Sequence, residues 1–221
     1  APRNRVGYFP SVAASWVVSH ENWLRDAAWL DLLKLRASYG ETGNSSIGSY
    51  LYLDSYSFAS KYHNKVTAIP VRKANPYLGW ETANMTGVGL DASFLGRIDL
   101  TLDFYNIINS ELLLNVPLSP STGFFDQTAN AGKVRNRGIE AKLSYTLWQG
   151  KQGFFNLFGS IAYNKNIIIN LSESLKAYNE KMMAQAQDKS NSTPVLIYQD
   201  GMPMNAIWAV PSLGIDPTTG Q

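Results

Sequence analysis

Residues 97–104 read Arg97-Ile98-Asp99-Leu100-Thr101-Leu102-Asp103-Phe104, with Tyr105 next. Polar and apolar residues alternate without a break. On an extended strand, side chains two apart share a face. Ile98, Leu100, Leu102 and Phe104 therefore form an apolar face, and Arg97, Asp99, Thr101 and Asp103 a charged one. A helix would mix the two sets around its circumference, so the period predicts a β-strand.

The pattern recurs on both sides. Leu33, Leu35, Ala37 and Tyr39 alternate with Lys34, Arg36 and Ser38. Val88, Leu90, Ala92 and Phe94 alternate with Gly87, Gly89, Asp91 and Ser93. Ile139, Ala141, Leu143, Tyr145 and Leu147 alternate with Glu140, Lys142, Ser144 and Thr146. Phe155, Leu157, Gly159, Ile161 and Tyr163 follow suit, although Phe158 interrupts the polar face. A weaker strand covers Ser11 to Val18. These strands run to about 8–14 residues. A membrane-spanning strand needs about 9–11, whereas soluble strands are commonly about 5–6.

The connections alternate between short and long. Leu95-Gly96 and Gln149 to Gly153 are tight turns, whereas Gly40 to Trp80 and Asn106 to Arg137 are long joins. Outer-membrane barrels put tight turns on the periplasmic side and long loops outside. Tyr39, Trp80, Phe94, Tyr105, Trp148 and Tyr163 lie near strand ends, as girdles at the two membrane interfaces would, or as ordinary cross-strand aromatic packing would. Slipping a strand by one residue turns every side chain to the other face. Lys34 and Arg36 would then enter lipid at about 2–4 kcal/mol each near the midplane. The fold class expected is all-β: part of a large antiparallel transmembrane β-barrel with long extracellular loops. The competing architecture is a soluble β-rich carbohydrate-binding or adhesive module, whose apolar rows would be buried under a second sheet.

Composition narrows the function. Only 16% of the 221 residues are charged and 12% are aromatic, against about 25% charged in an average domain. A net charge of +2 without a basic run gives no reason to expect nucleic acid. Cysteine is absent, which removes disulfides and thiolate chemistry. No apolar run is long enough for a transmembrane helix. His20 and His63 lack metal-site spacing. Asp99 and Asp103 share a face about 13 Å apart, beyond the separation of a glycosidase pair. No catalytic residue, metal or cofactor is expected. Residues 172–188 contain helix formers without Gly or Pro, with Ser172 placed to cap them. They predict one short helix in an external loop.

Several motifs resemble those of the SusC/RagA-type TonB-dependent transporters. They are Gly7-Tyr8-Phe9-Pro10-Ser11-Val12-Ala13-Ala14-Ser15-Trp16, Leu33-Lys34-Leu35-Arg36-Ala37-Ser38-Tyr39-Gly40-Glu41-Thr42-Gly43-Asn44 with Ile47-Gly48, and Asn75-Pro76-Tyr77-Leu78-Gly79-Trp80-Glu81-Thr82. Leu112 to Leu118 with Thr122-Gly123-Phe124, Asn130 to Glu140, Ala162 to Asn166 and Gly214 to Gly220 continue in the family's order. The resemblance implies an outer-membrane importer of oligosaccharides or peptides in Bacteroidetes. It also implies a plug domain, energy from a TonB-ExbB-ExbD complex acting through that plug, and a SusD-like surface lipoprotein over the mouth. Residues 1–221 match the later part of the barrel, roughly six strands, with plug and closing strands absent. Outer-membrane lipid is then the partner of the apolar face.

Two sets of candidate residues follow. Lys34, Arg36, Arg97, Asp99, Asp103, Glu140 and Lys142 are expected to face the lumen. There they line the transport path, neutralise one another, or dock the plug. Tyr50, Tyr52, Tyr56 and Phe58 lie in the first long loop, where rings can stack on a sugar or simply pack the loop. Gly40, Gly43 and Gly48 are expected to serve backbone with positive φ, and Pro10 and Pro117 to suit strand starts or edges.

Overall fold

The computed structural model describes residues 4, 6–45, 48–124, 126–187 and 197–209. Among the described residues, ten strands and one α-helix follow in chain order. They are β1 (Ser11–Val17), β2 (Leu30–Asn44), β3 (Ser55–Tyr62), β4 (Lys65–Arg72), β5 (Glu81–Phe94), β6 (Ile98–Ser110), β7 (Leu113–Pro117), β8 (Asp126–Asn130), β9 (Lys133–Gly150), β10 (Gly153–Asn170) and α1 (Glu173–Ala186). Six strands form one open antiparallel sheet, ordered β1-β2-β5-β6-β9-β10. The hairpins β3–β4 and β7–β8 stand apart, inside the two long connections.

Tight turns fix the register. Leu95 and Gly96 have φ of +53° and +60°, and the Arg97 amide donates to the Phe94 carbonyl at 3.0 Å. Two successive positive φ values match the right-handed twist of the flanking strands. Phe94 then pairs with Ile98, and the ladder continues unbroken to Thr82 opposite Ser110. Arg97 belongs to this turn rather than to the strand. Its carbonyl accepts the Thr146 amide at 2.8 Å.

This register lines up the apolar residues in rows across the sheet. Leu35, Leu90, Leu102, Ala141 and Ile161 are successive partners, as are Ala37, Val88, Phe104, Ile139 and Tyr163. Phe104 is 48% exposed, Ile139 55% and Ile161 73%. A soluble sandwich would bury these rows under a second layer, and among the described residues none covers them. The exposed rows are the lipid-facing surface of a barrel wall. The next row toward the long loops is Tyr39, Thr86, Asn106, Arg137 and Lys165, where polar groups end the band. From Ile98 to Asn106 the band measures about 26 Å along the strand, or about 20 Å once tilted.

The strands outrun the alternation. On β6 it stops at Tyr105, yet pairing continues through Asn106-Ile107-Ile108-Asn109-Ser110. Beyond the hydrocarbon, neither face has to be apolar, but backbone groups still gain from pairing. The long loops pack against this upper part, on the charged side of the sheet. Val134 of β9 and Ile168 of β10 join Val116, Ala131, Leu171 and Leu175 in a buried cluster. Helix α1 therefore folds over the lumen side. Ser172 Oγ accepts the Leu175 amide at 3.4 Å, the expected cap. Asp188 lies outside the described residues, as do Ile47 and the Gly214 to Gly220 motif.

The motif residues meet in the loop layer. The Phe9 ring lies edge-on to Trp80 at 5.6 Å, and Trp80 Nε1 donates to the Asn4 carbonyl at 2.9 Å. A Cβ built on Gly43 would fall inside the Phe9 ring. Gly43 is thus required for space, and neither it, Gly40 nor Gly48 has positive φ, contrary to expectation. Pro10 does stand just before a strand, and Pro117 closes a hairpin strand. Asn130 receives the Gly79 amide at 2.8 Å and donates to the Glu111 carbonyl at 2.9 Å. Asn75 donates to the Thr128 carbonyl at 2.9 Å. These bonds tie the first long loop to β8 and leave Leu78 only 2% exposed.

Candidate functional site

The charged face of the sheet is organised around Arg36. Its Nε donates to Asp91 at 2.8 Å, and its Nη2 donates to Asp91 at 3.1 Å and to Asp103 at 2.9 Å. Asp91 is on β5 and Asp103 on β6, so one guanidinium bridges three strands. The reach depends on Gly89, which lies between Arg36 and Asp103 in the register. A Cβ there would come within 2.6 Å of Asp103 Oδ1 and 2.7 Å of Arg36 Cζ. Arg36 suits this task because its planar fork serves two carboxylates at once.

A shallow trough of ≈ 370 Å³ runs beside this cluster. Small residues form its floor, among them Ala13, Ser15, Ser38 and Gly87, and Arg36 and Tyr105 bound it. Tyr105 lies over Gly138, where a Cβ would meet its Oη at 2.5 Å. Tyr105 therefore belongs to the lumen face and Trp80 to the loop layer, so neither is part of a lipid girdle. Tyr39 and Tyr163 point outward at the loop end. At the turn end Phe94 stacks on Trp29 at 6.0 Å.

The other predicted residues are dispersed. Asp99 accepts a 2.7 Å bond from Ser93 Oγ. Lys34 is opposite Asp91 and Lys142 opposite Thr101 in the register, and Glu140 is opposite Asp103. Among the described residues the ion pairs of the sheet are those of Arg36. In the first loop the Tyr50 and Tyr52 rings approach to 6.4 Å at a 47° tilt. Tyr56 and Phe58 lie two apart on one exposed face of β3. Among these four rings, only Tyr50 and Tyr52 form a ring contact.

Sequence reasoning did not single out Gly89 as the spacer for Arg36, although its place between Arg36 and Asp103 is the signal. It also missed Asn75, Asn130 and the Asn166 amide that donates to Asn136 at 2.7 Å.

Comparison with known proteins agrees with this geometry. Residues 1–199 match the family model "TonB dependent receptor-like, beta-barrel". TonB-dependent receptor P39 of Formosa agariphila is 34% identical over 172 residues, covering 77% of this chain and 17% of that protein. TonB-dependent receptor SusC of Bacteroides thetaiotaomicron is 32% identical over 220 residues, covering 93% of this chain and 21% of that protein. The chain thus spans about a fifth of the length of the curated relatives it matches. The RagAB peptide transporter structure superposes with a TM-score of 0.72 at 29% identity, covering 78% of this chain and 19% of that chain. With its open six-stranded wall, outward apolar belt and inward charged face, this chain belongs to the TonB-dependent receptor β-barrel family of the bacterial outer membrane.

Proposed function

We propose that this chain forms part of the wall and external mouth of an active nutrient importer. The division of the sheet into an uncovered apolar face and a charged face bridged by Arg36 carries this reading. Hydrated walls need polar side chains that neither collapse nor repel, and the Arg36–Asp91–Asp103 triad supplies such a set. On this reading Lys34, Arg36, Asp99, Asp103, Glu140 and Lys142 face the conduit, with Arg97 at its periplasmic rim. Their work is structural: they stiffen the wall and give a plug domain a polar surface. Energy comes from a TonB-ExbB-ExbD complex acting through that plug, and a SusD-like lipoprotein closes the outer mouth. The cargo is an oligosaccharide or a peptide. The peptide option is supported by the peptide-importer structure that this chain resembles. The exposed rings of Tyr50, Tyr56 and Phe58, with the half-buried Tyr52 beside them, offer stacking surfaces for either cargo or for the lipoprotein.

The test uses the full-length protein in living outer membranes. Accumulation of fluorescent oligosaccharides and peptides is measured with and without a protonophore. Energy-dependent accumulation of one class is expected. Uptake that ignores the protonophore, or none of either class, refutes the proposal. Single cysteines test the faces: a membrane-impermeant maleimide should label Thr101→Cys from the conduit but not Leu102→Cys.

A further inference from the structure

Among the described residues, no ion pair reaches three cations on the lipid-facing side. Arg137 of β9 is directly opposite Lys165 of β10, and Arg135 is two residues along β9 on the same face. Opposed residues on neighbouring strands have Cβ atoms about 5 Å apart, and like charges so placed destabilise the pair. The charged lumen face also opposes like charges, Asp103 and Glu140, but there Arg36 neutralises Asp103. Among the described residues, the recorded ion pairs are made by Arg36 and Lys176. None reaches these three cations. Glu41 shares the row of Arg135, but three strands away, about 14 Å. Arg135 Nε is also fully buried and has no hydrogen-bond partner. Like charges gathered on one face without a counter-charge among the described residues call for an anion from outside them.

Position identifies that acceptor. Arg137 and Lys165 lie one row beyond Ile139 and Tyr163, where the apolar band gives way on the side of the long loops. That is the level of the outer-leaflet headgroups. We infer that Arg135, Arg137 and Lys165 bind the phosphate of an outer-leaflet glycolipid, seating lipid A against the wall. Arginine forks recognise phosphate through paired N–H donors, and a clustered set of cations at a membrane interface draws anionic lipid. The inference rests on the membrane placement of the sheet and not on what is imported, so uptake is not its readout.

Full-length protein is extracted in mild detergent, and co-purified lipopolysaccharide is measured per barrel by native mass spectrometry. The wild type is compared with the triple variant Arg135→Gln, Arg137→Gln, Lys165→Gln. Lys151→Gln, at the opposite end of the wall, is the control for loss of a cation elsewhere on the surface. At least a fivefold loss of lipid is expected in the triple variant and none in the control, with heat-modifiable mobility showing both folded. Arg137→Lys should retain most of the lipid. If the triple variant does not fold, Arg137→Gln and Lys165→Gln singly should each lose about half. Unchanged lipid in the folded variants overturns the inference. So does saturation of the wild-type site by millimolar inorganic phosphate with no lipid A retained, which would make it a free-phosphate site.

Discussion

Replacing Gly89 with alanine isolates the contact that joins β2 to β6. The new Cβ would meet Arg36 Cζ at 2.7 Å and Asp103 Oδ1 at 2.6 Å. Ordinary contact begins near 3.4 Å, so one group must retreat by about 0.7 Å. That takes the 2.9 Å Arg36–Asp103 bond past hydrogen-bonding range, while the 2.8 Å bond to Asp91 survives. The side chains of Arg36 and Asp103 are 37% and 38% exposed, so the lost ion pair contributes about 1 kcal/mol rather than a buried pair's several. Alanine restores about 0.5 kcal/mol because glycine weakens a strand interior. Displacing the guanidinium adds about 1 kcal/mol of rotamer strain. Gly89→Ala should therefore destabilise the barrel by about 1–2 kcal/mol. Asp103→Ala removes the bond in advance, and Gly89→Ala on that background should cost at least about 1 kcal/mol less. Thermal unfolding of the full-length barrel in detergent, followed by β-sheet circular dichroism, measures both. Equal costs on the two backgrounds would refute the spacer role of Gly89.

Further outcomes follow from the same geometry. Leu102→Arg should lower the stability of the barrel refolded into lipid vesicles by about 2–4 kcal/mol, whereas Thr101→Arg should change it by less than about 1 kcal/mol. Asn130→Ala strips partners from the Gly79 amide and the Glu111 carbonyl. It should loosen the loop layer by about 2 kcal/mol, read as faster proteolysis around residues 74–80 with the transmembrane band intact. The Glu173 carboxylate beside Lys176 raises that lysine's pKa above its usual value. Its anchoring of α1 is complete below the usual lysine pKa and fades only as pH climbs through the raised one. Amide exchange in α1, corrected for intrinsic rate, should be flat from pH 6 to pH 9 in wild type; a change across that window would exclude this anchor.

The membrane-embedded part of the fold was legible because lipid on one side and water on the other write a period of two into the chain. Leu33 to Tyr39, Val88 to Phe94 and Ile139 to Leu147 all carry that signal. Above the belt the signal vanishes, so alternation alone reads the upper ends of β2, β6 and β9 as loop. The hairpin β3–β4 escaped because its strands bury little, although His63 and Asn64, with φ of +48° and +60°, form a recognisable turn. For the candidate site, alternation assigned charges to a face but not to partners. The acids that hold Arg36 are 55 and 67 residues away. Joining them needs the register set by Leu95-Gly96 and by the pairing of β2 with β5. Glycines were legible as special but not in kind: Gly43 and Gly89 make room for Phe9 and Arg36, and neither has an unusual backbone.

The extension of β6, β9 and β10 past the polar row at Asn106, Arg137 and Lys165 raises a paired palisade about 10 Å high above the lipid. A visiting molecule would first touch a stiff parapet, its height held by hydrogen-bonded backbone. Any rearrangement of the loops above that parapet would therefore not have to bend the strands inside the bilayer.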